Sequence, residues 1–254
     1  MHDLFNIEGK KAIVTGGTRG LGYGMAEGLM EAGCEVAITG TSDKVYEVAE
    51  AFAAKGYVCH GIKTNFAVRE EVYSGFRGCL EALGGDLDII VNAHGIQRRH
   101  SAEVFPLTDW DEVMNVNLNS VFILCQEAAK IMLAKGYGKI INIASMVSWF
   151  GGQTVPAYSA AKGGVTQMTK EMSNDWIARG VNVNAIAPGY MATKMNEALL
   201  DETNPRYREI TNRIPANRWG TGDDMKGACI FLASHASDYL GGAIIPVDGG
   251  YLVK

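Results

Sequence analysis

Residues 11–22 read Lys-Ala-Ile-Val-Thr-Gly-Gly-Thr-Arg-Gly-Leu-Gly. Lys11–Thr15 is a short apolar run of strand length that ends in glycines. Leu21, Met25, Leu29 and Ala32 then recur at helical spacing. A strand that turns through glycines into a helix lets backbone N–H groups approach a diphosphate at the helix N-terminus. The spacing here, Gly16-x-x-x-Gly20-x-Gly22, differs from the commoner G-x-G-x-x-G. A glycine cluster alone marks only a tight turn. Its place between strand and helix points to nucleotide binding.

The alternation continues outward in both directions. Strands are expected at Glu35–Thr39, Val58–Lys63, Leu87–Asn92, Lys139–Ile143, Val181–Ala187 and Ala243–Val247. Helices are expected at Lys44–Lys55, Glu70–Leu83, Asp109–Lys135, Ala157–Ile177 and Thr221–Ala233. Pro188–Trp219 reads as a long irregular stretch. The unbroken apolar run Ile89–Val91 suits a strand buried on both faces of a parallel sheet. Repeated strand–helix units imply an α/β fold, a parallel sheet of about seven strands with helices on both faces. There is no linker and no shift in composition, so residues 1–254 read as a single domain.

Composition excludes several classes. A chain of 254 residues with 47% hydrophobic residues can bury a full core without staples. There is no apolar run of the roughly eighteen residues a membrane span needs. Residues 1–10 contain Asp3 and Glu8 and no apolar leader core, so a cytoplasmic protein is expected. Net charge is −5, from 23 basic and 28 acidic residues, with no basic block to hold nucleic acid. Cys34, Cys59, Cys79, Cys125 and Cys229 are odd in number and scattered, without metal-ligand spacing. They read as buried thiols of a reducing compartment, and no metal is expected.

Four positions carry candidate chemistry. Tyr158 and Lys162 are four apart, hence on one helix face. A nearby ammonium favours the phenolate, and a tyrosine so tuned acts as general acid or base on an alcohol. By itself the pair reads first as a surface tyrosine beside a solvated lysine. Ser145 follows the strand Ile140–Ile143, and strand C-terminal ends are where ligands sit in open parallel sheets. Asn117 lies inside an expected helix, where asparagine is mildly unfavourable. It either holds a proton-relaying water or is a bland surface residue.

Together these features resemble the short-chain dehydrogenase/reductase family across essentially the whole chain. Thr15–Gly22 resembles its cofactor loop, and Asn92-Ala93-His94-Gly95 its Asn-Asn-Ala-Gly strand end. Asn117, Ser145, Tyr158 and Lys162 resemble its catalytic tetrad. Pro188, Gly189 and Thr193 resemble its nicotinamide-side loop, and Asn65 its adenine-contacting position. The resemblance implies a single-domain, Rossmann-like, doubly wound sheet with a substrate loop at about 188–219, and a homotetramer. It also implies NAD or NADP held by Gly16, Thr18, Arg19, Gly20, Leu21, Gly22, Thr41, Asn65, Phe66, Asn92, Gly95, Tyr158, Lys162, Pro188, Gly189, Met191 and Thr193.

One departure stands out. Ala93 and His94 replace the usual Asn and Ala, so the second asparagine's hydrogen bonds are missing. His94 is either a packed, satisfied histidine or part of the site wall. Cofactor choice is also divided. No acid follows the second strand until Asp43, and Arg19 can meet a 2′-phosphate, which favours NADP.

The substrate half is similar to the sugar-acid branch of the family. That branch comprises the 2-dehydro-3-deoxy-D-gluconate 5-dehydrogenases, the 2-deoxy-D-gluconate 3-dehydrogenases and the gluconate 5-dehydrogenases, and it favours NAD. The similar segments include Gly95–Arg99, Ile141–Met146, Asn182–Thr193 and Arg213–Gly220. Oxidation or reduction of a sugar acid is therefore expected, with Arg98, Arg99, Ser145, Gln153 and Tyr158 toward the substrate. A guanidinium suits a carboxylate, although Arg98 and Arg99 read equally as a solvated basic pair. The alternatives are a 3-oxoacyl-carrier-protein reductase, or a non-catalytic NAD(P)-binding sensor on the same fold.

Overall fold

The computed structural model describes residues 3–201 and 203–254. Met1 and His2, in the start read as free of a leader, and Glu202, in the 188–219 loop, lie outside the described residues. Seven strands form: β1 Lys11–Thr15, β2 Glu35–Gly40, β3 Cys59–Lys63, β4 Ile89–Asn92, β5 Gly138–Ile143, β6 Val181–Pro188 and β7 Ile244–Val247. The helices are α1 Gly20–Glu31, α2 Lys44–Ala54, α3 Arg69–Ala82, α4 Leu107–Met114, α5 Ser120–Lys135, α6 Pro156–Trp176, α7 Pro205–Arg213 and α8 Lys226–Ala233.

All strand pairs are parallel, in the order β3-β2-β1-β4-β5-β6-β7. β4, β5 and β6 are buried at every position, as strands covered on both faces are, and Ile89–Val91 of β4 is the unbroken apolar run. Successive side chains of a strand point to opposite faces. Ala12 and Val14 therefore join the core beneath α1, α2 and α8, whereas Ile13 joins the core beneath α3, α5 and α6. Each large apolar side chain so buried contributes about 1.5–3 kcal/mol. An exposed ion pair gives at most about 1 kcal/mol, so the two apolar faces hold the sheet.

The strand order reverses direction between β1 and β4. Thr15 and Asn92 are paired across that junction, so the turns after them leave the sheet side by side. This is the crevice in which open α/β sheets hold their ligands.

Two elements differ from the sequence reading. The expected single helix over 109–135 is α4 and α5 joined by one π turn, Asn115–Asn119. The stretch read as irregular contains α7, opened by Asn204, whose side chain accepts from the Arg206 N–H, with Pro205 in the first turn. Ile210 on α7 and Ile214 after it pack with Met146, Trp219 and Tyr251. The 188–219 segment is thereby folded over the residues that follow β5.

Candidate active site

The glycine turn is built for close approach. Gly16 has φ +67°, and a Cβ there would lie 2.9 Å from the His94 Cα. A Cβ on Gly22 would collide with the Gly16 carbonyl, so the helix starts directly on the turn. Among the described residues no side chain caps α1, and its first turn carries no acid. The free N–H groups there present partial positive charge. Arg19 is exposed at the N-cap. A Cβ on Gly20 would lie 3.5 Å from the Thr193 methyl, so the loop after β6 crosses this turn. An uncapped helix end, a glycine cradle and a free guanidinium fit a dinucleotide diphosphate.

Lys162 and Tyr158 lie on α6, which starts at Pro156. Lys162 is 4% exposed, and its Nζ donates to the Ile143 carbonyl at 2.6 Å. That carbonyl is its one hydrogen-bond partner among the described residues. Burial pushes the ammonium pKa down to about 8. Two N–H groups thus remain for ligand hydroxyls. Ser145 caps the short turn Met146–Ser148, accepting from the Val147 N–H at 3.4 Å. Ser148 donates to the Lys162 carbonyl at 3.0 Å and ties this turn to α6.

The Tyr158 phenol is half-buried, and burial raises its pKa above the ordinary value. The Ser145 hydroxyl and then the Arg99 charge work the other way. The Lys162 ammonium, held by the Ile143 carbonyl, sits 5.6 Å from the centre of the Tyr158 ring.

Asn117 lies in the π turn and is fully buried. Its Oδ1 accepts from the Ile96 N–H at 2.9 Å, and its Nδ2 donates to the Ile96 carbonyl at 2.8 Å. The reading of Asn117 as a surface residue is thereby excluded. Each end keeps one further hydrogen or lone pair with which to hold a water.

His94 is packed and satisfied. It is buried, stacked on Phe66 with ring centroids 3.8 Å apart. Its Nδ1 is 2.7 Å from Thr15 Oγ1 and its Nε2 is 2.6 Å from Ser120 Oγ. Ser120 donates its one hydrogen to the Val116 carbonyl at 2.7 Å. It therefore accepts from Nε2–H, and Nδ1 accepts from the Thr15 hydroxyl. Burial, then the Lys162 charge, pushes the His94 pKa down to about 3.

The two arginines separate. Arg98 forms an ion pair with Glu112 at 2.8 Å and also donates to the Gln97 carbonyl. Arg99 is exposed, and its charge acts on Tyr158. Gln153 is exposed on the loop before α6.

Among the expected cofactor contacts, Thr18 and Leu21 are half-buried in the glycine turn and Thr41 is exposed after β2. Asp43 is held by Lys63 at 2.9 Å. Asn65 is exposed, and its Oδ1 accepts from the Ala67 N–H at 3.1 Å. Pro188 ends β6, and Gly189 passes so close to Asp248 that a Cβ would lie 2.6 Å from its Cα. Met191 is buried beside Gly220. A Cβ on Gly95 would lie 3.2 Å from Asn117 Oδ1.

Two side chains turn away from the crevice. Phe66 belongs to the core beneath α3 and α5, and its ring stacks on His94, leaving its backbone toward a ligand. Asn92 donates into the core, to Asn142 Oδ1 at 2.9 Å and Cys125 Sγ at 3.4 Å, leaving only its backbone for a ligand. Ser120 and Ile143 went unread as site neighbours. Only the helical offset of Ser120 from Val116, which its hydroxyl reaches, was visible in the sequence.

The chain is similar to known proteins over essentially its full length. A family model described as enoyl-(acyl carrier protein) reductase matches residues 16–252. The chain is 43% identical to the 2-dehydro-3-deoxy-D-gluconate 5-dehydrogenase of Bacillus subtilis (strain 168), covering 100% of this chain and 99% of the relative. It is 45% identical to the enzyme of the same name from Escherichia coli (strain K12), over 98% of each. The crystal structure of a gluconate 5-dehydrogenase from Burkholderia cenocepacia J2315, in complex with NADP and tartrate, superposes with a TM-score of 0.94. It is 40% identical, and the match covers 99% of this chain and 98% of that one. With this sheet order, this glycine turn and these full-length likenesses, the chain belongs to the short-chain dehydrogenase/reductase family.

Proposed function

We propose that the protein is an NAD(P)-dependent oxidoreductase that interconverts a hydroxyl and a ketone on a sugar acid of the 2-keto-3-deoxygluconate, 2-deoxygluconate or gluconate type. The observation that carries this reading is the placement of Ser145, after β5, against Tyr158 and Lys162 on α6, with the two segments tied by the Lys162–Ile143 and Ser148–Lys162 bonds. A hydroxyl and a phenol so placed suit an alcohol or carbonyl oxygen. The exposed Arg99, near in sequence to the end of β4 at this crevice, suits an anionic substrate.

A bound nicotinamide dinucleotide supplies the hydride acceptor or donor. Gly16, Gly20 and the start of α1 would hold its diphosphate, with Arg19 beside them. Lys162 would hold its ribose hydroxyls with the two N–H groups that Ile143 leaves free. Tyr158 takes the proton of the substrate hydroxyl during oxidation and returns it during reduction. Ser145 donates to the substrate oxygen and orients it beside the phenol. Asn117 holds a water through which the proton reaches solvent. Arg99 binds the substrate carboxylate. Among the described residues the acid nearest the end of β2, Asp43, is paired with Lys63, which supports acceptance of NADP. NADP and tartrate in the Burkholderia relative support the same cofactor and an acid ligand.

The five cysteines are unpaired, and burial pushes Cys34, Cys59, Cys79 and Cys125 up to about 12. Such inert thiols suit a cytoplasmic protein. Exposed Leu107 and Phe122, on α4 and α5, support self-association as a homotetramer. Initial rates with a panel of sugar acids and neutral polyols, and with both dinucleotides, test the function. Faster turnover of polyols or acyl thioesters than of sugar acids would overturn the substrate reading.

A further inference from the structure

We propose that His94 is a positioning residue whose ring ties the glycine turn after β1 to the π turn that holds Asn117. The proposal deepens the oxidoreductase reading and rests on it.

The ring bridges two elements that no other side chain joins among the described residues' hydrogen bonds. On one side is Thr15, the last residue of β1 and the start of the glycine turn. On the other is Ser120, the first residue of α5 after the π turn. Stacking on Phe66 fixes the ring plane. The connecting chain is gripped at both ends. Ala93 and His94 N–H groups donate to Thr15 Oγ1 at 3.0 and 3.3 Å, and Asn117 takes both polar groups of Ile96.

The bridge is not needed to satisfy its partners. Thr15 Oγ1 also lies 3.3 Å from the Val91 carbonyl, and Ser120 already donates to Val116. Removing the imidazole therefore leaves neither hydroxyl stranded. What is lost is the fixed spacing between the cofactor turn and Asn117. A misplacement of about 1 Å at a reacting geometry costs on the order of a hundredfold in rate.

The test uses the full-length protein and its His94→Phe variant, which keeps a stacking ring and removes both hydrogen bonds. Hydrogen exchange is measured first, without substrate. The proposal expects faster exchange confined to residues 16–20 and 115–120. Turnover of the best sugar acid is then expected to fall by about tenfold or more, mainly in kcat. His94→Gln, which keeps one donor and one acceptor, should recover part of both effects. Unchanged exchange in both segments would overturn the proposal. So would faster exchange spread evenly over β1, β4 and β5, which marks a packing role alone. Absence of sugar-acid turnover in the unmodified protein would instead sink the oxidoreductase reading, while the exchange result still judges His94.

Discussion

The Lys162 ammonium donates to the Ile143 carbonyl at 2.6 Å, so the end of β5 holds the one buried cation of α6. This bond aims the side chain at the crevice but does not offset its desolvation, and the pKa falls to about 8. The unfolded lysine titrates near 10.5. Between those values the unfolded state binds more protons, so stability rises with pH there and is lowest below about 8.

Replacing Lys162 by Met should therefore stabilise the folded chain at pH 7. The gain should be on the order of 2 kcal/mol, after losing the bond to Ile143. Dinucleotide affinity should fall at the same time. In the unmodified protein it should weaken as pH rises through about 8, and in the variant that dependence should vanish. Melting curves and dinucleotide titrations from pH 7 to 10 check both. Parallel losses of stability and binding would show that Lys162 is a structural residue.

Arg98 and Arg99 are adjacent but do different things. Arg98 is committed to Glu112, whereas Arg99 acts on Tyr158. A hydrogen bond to a charged group contributes about 1.5–3 kcal/mol. Arg99→Ala should thus lower kcat/KM for sugar acids about ten- to a hundredfold and spare neutral polyols. It should also move the rising limb of the pH–rate profile for oxidation to higher pH, because a charge that lowers the pKa of the phenol acting as base is gone. Arg98→Ala should cost little, as half-exposed pairs do. Equal effects of the two substitutions would contradict the assignment.

Cofactor preference turns on the end of β2. Aspartate at Gly40 would be obstructed, because a Cβ there lies 2.6 Å from the Thr18 methyl. Thr41 is exposed and takes the carboxylate freely. Thr41→Asp should repel a 2′-phosphate and lower the NADP/NAD ratio of kcat/KM by about tenfold or more. Arg19→Ala should move the ratio the same way. A ratio unmoved by both changes would show that the phosphate lies elsewhere.

His94 should shape acid stability. It stays neutral in the folded chain down to about pH 3 and titrates near 6.5 when unfolded. Between those values the unfolded state binds the extra proton. Stability is therefore lost as pH falls below about 6.5, by up to about 1.4 kcal/mol per unit from this residue. Urea melts between pH 7 and 4.5 should show a shallower decline for His94→Phe. An identical slope would mean that the ring takes up its proton in place.

The strand–helix rhythm was legible because each strand of the sheet's centre is buried on both faces and each helix on one. The Tyr158, Lys162 and Ser145 positions were legible because their spacing follows from one helix and one strand end. The π turn at Asn115–Asn119 was not, because the grip of Asn117 on Ile96 is a tertiary contact between segments far apart in sequence. α7 was missed although Asn204-Pro205 is a helix-start signal. Its mean character is strongly polar, and its few apolar residues gain meaning only against Trp219 and Tyr251. The inward turn of the Phe66 ring was not legible because position in a motif does not say which way a side chain turns. Arg98 and Arg99 were indistinguishable until Glu112 was seen to claim one of them.

Tyr158→Phe tests proton transfer by Tyr158 on a sugar acid most directly. The change deletes one oxygen and keeps the packing. General acid–base groups contribute roughly two to four orders of magnitude in rate. With the best sugar acid and a saturating dinucleotide, kcat should fall at least about a hundredfold, with dinucleotide affinity unchanged. Turnover close to that of the unmodified protein would contradict the account.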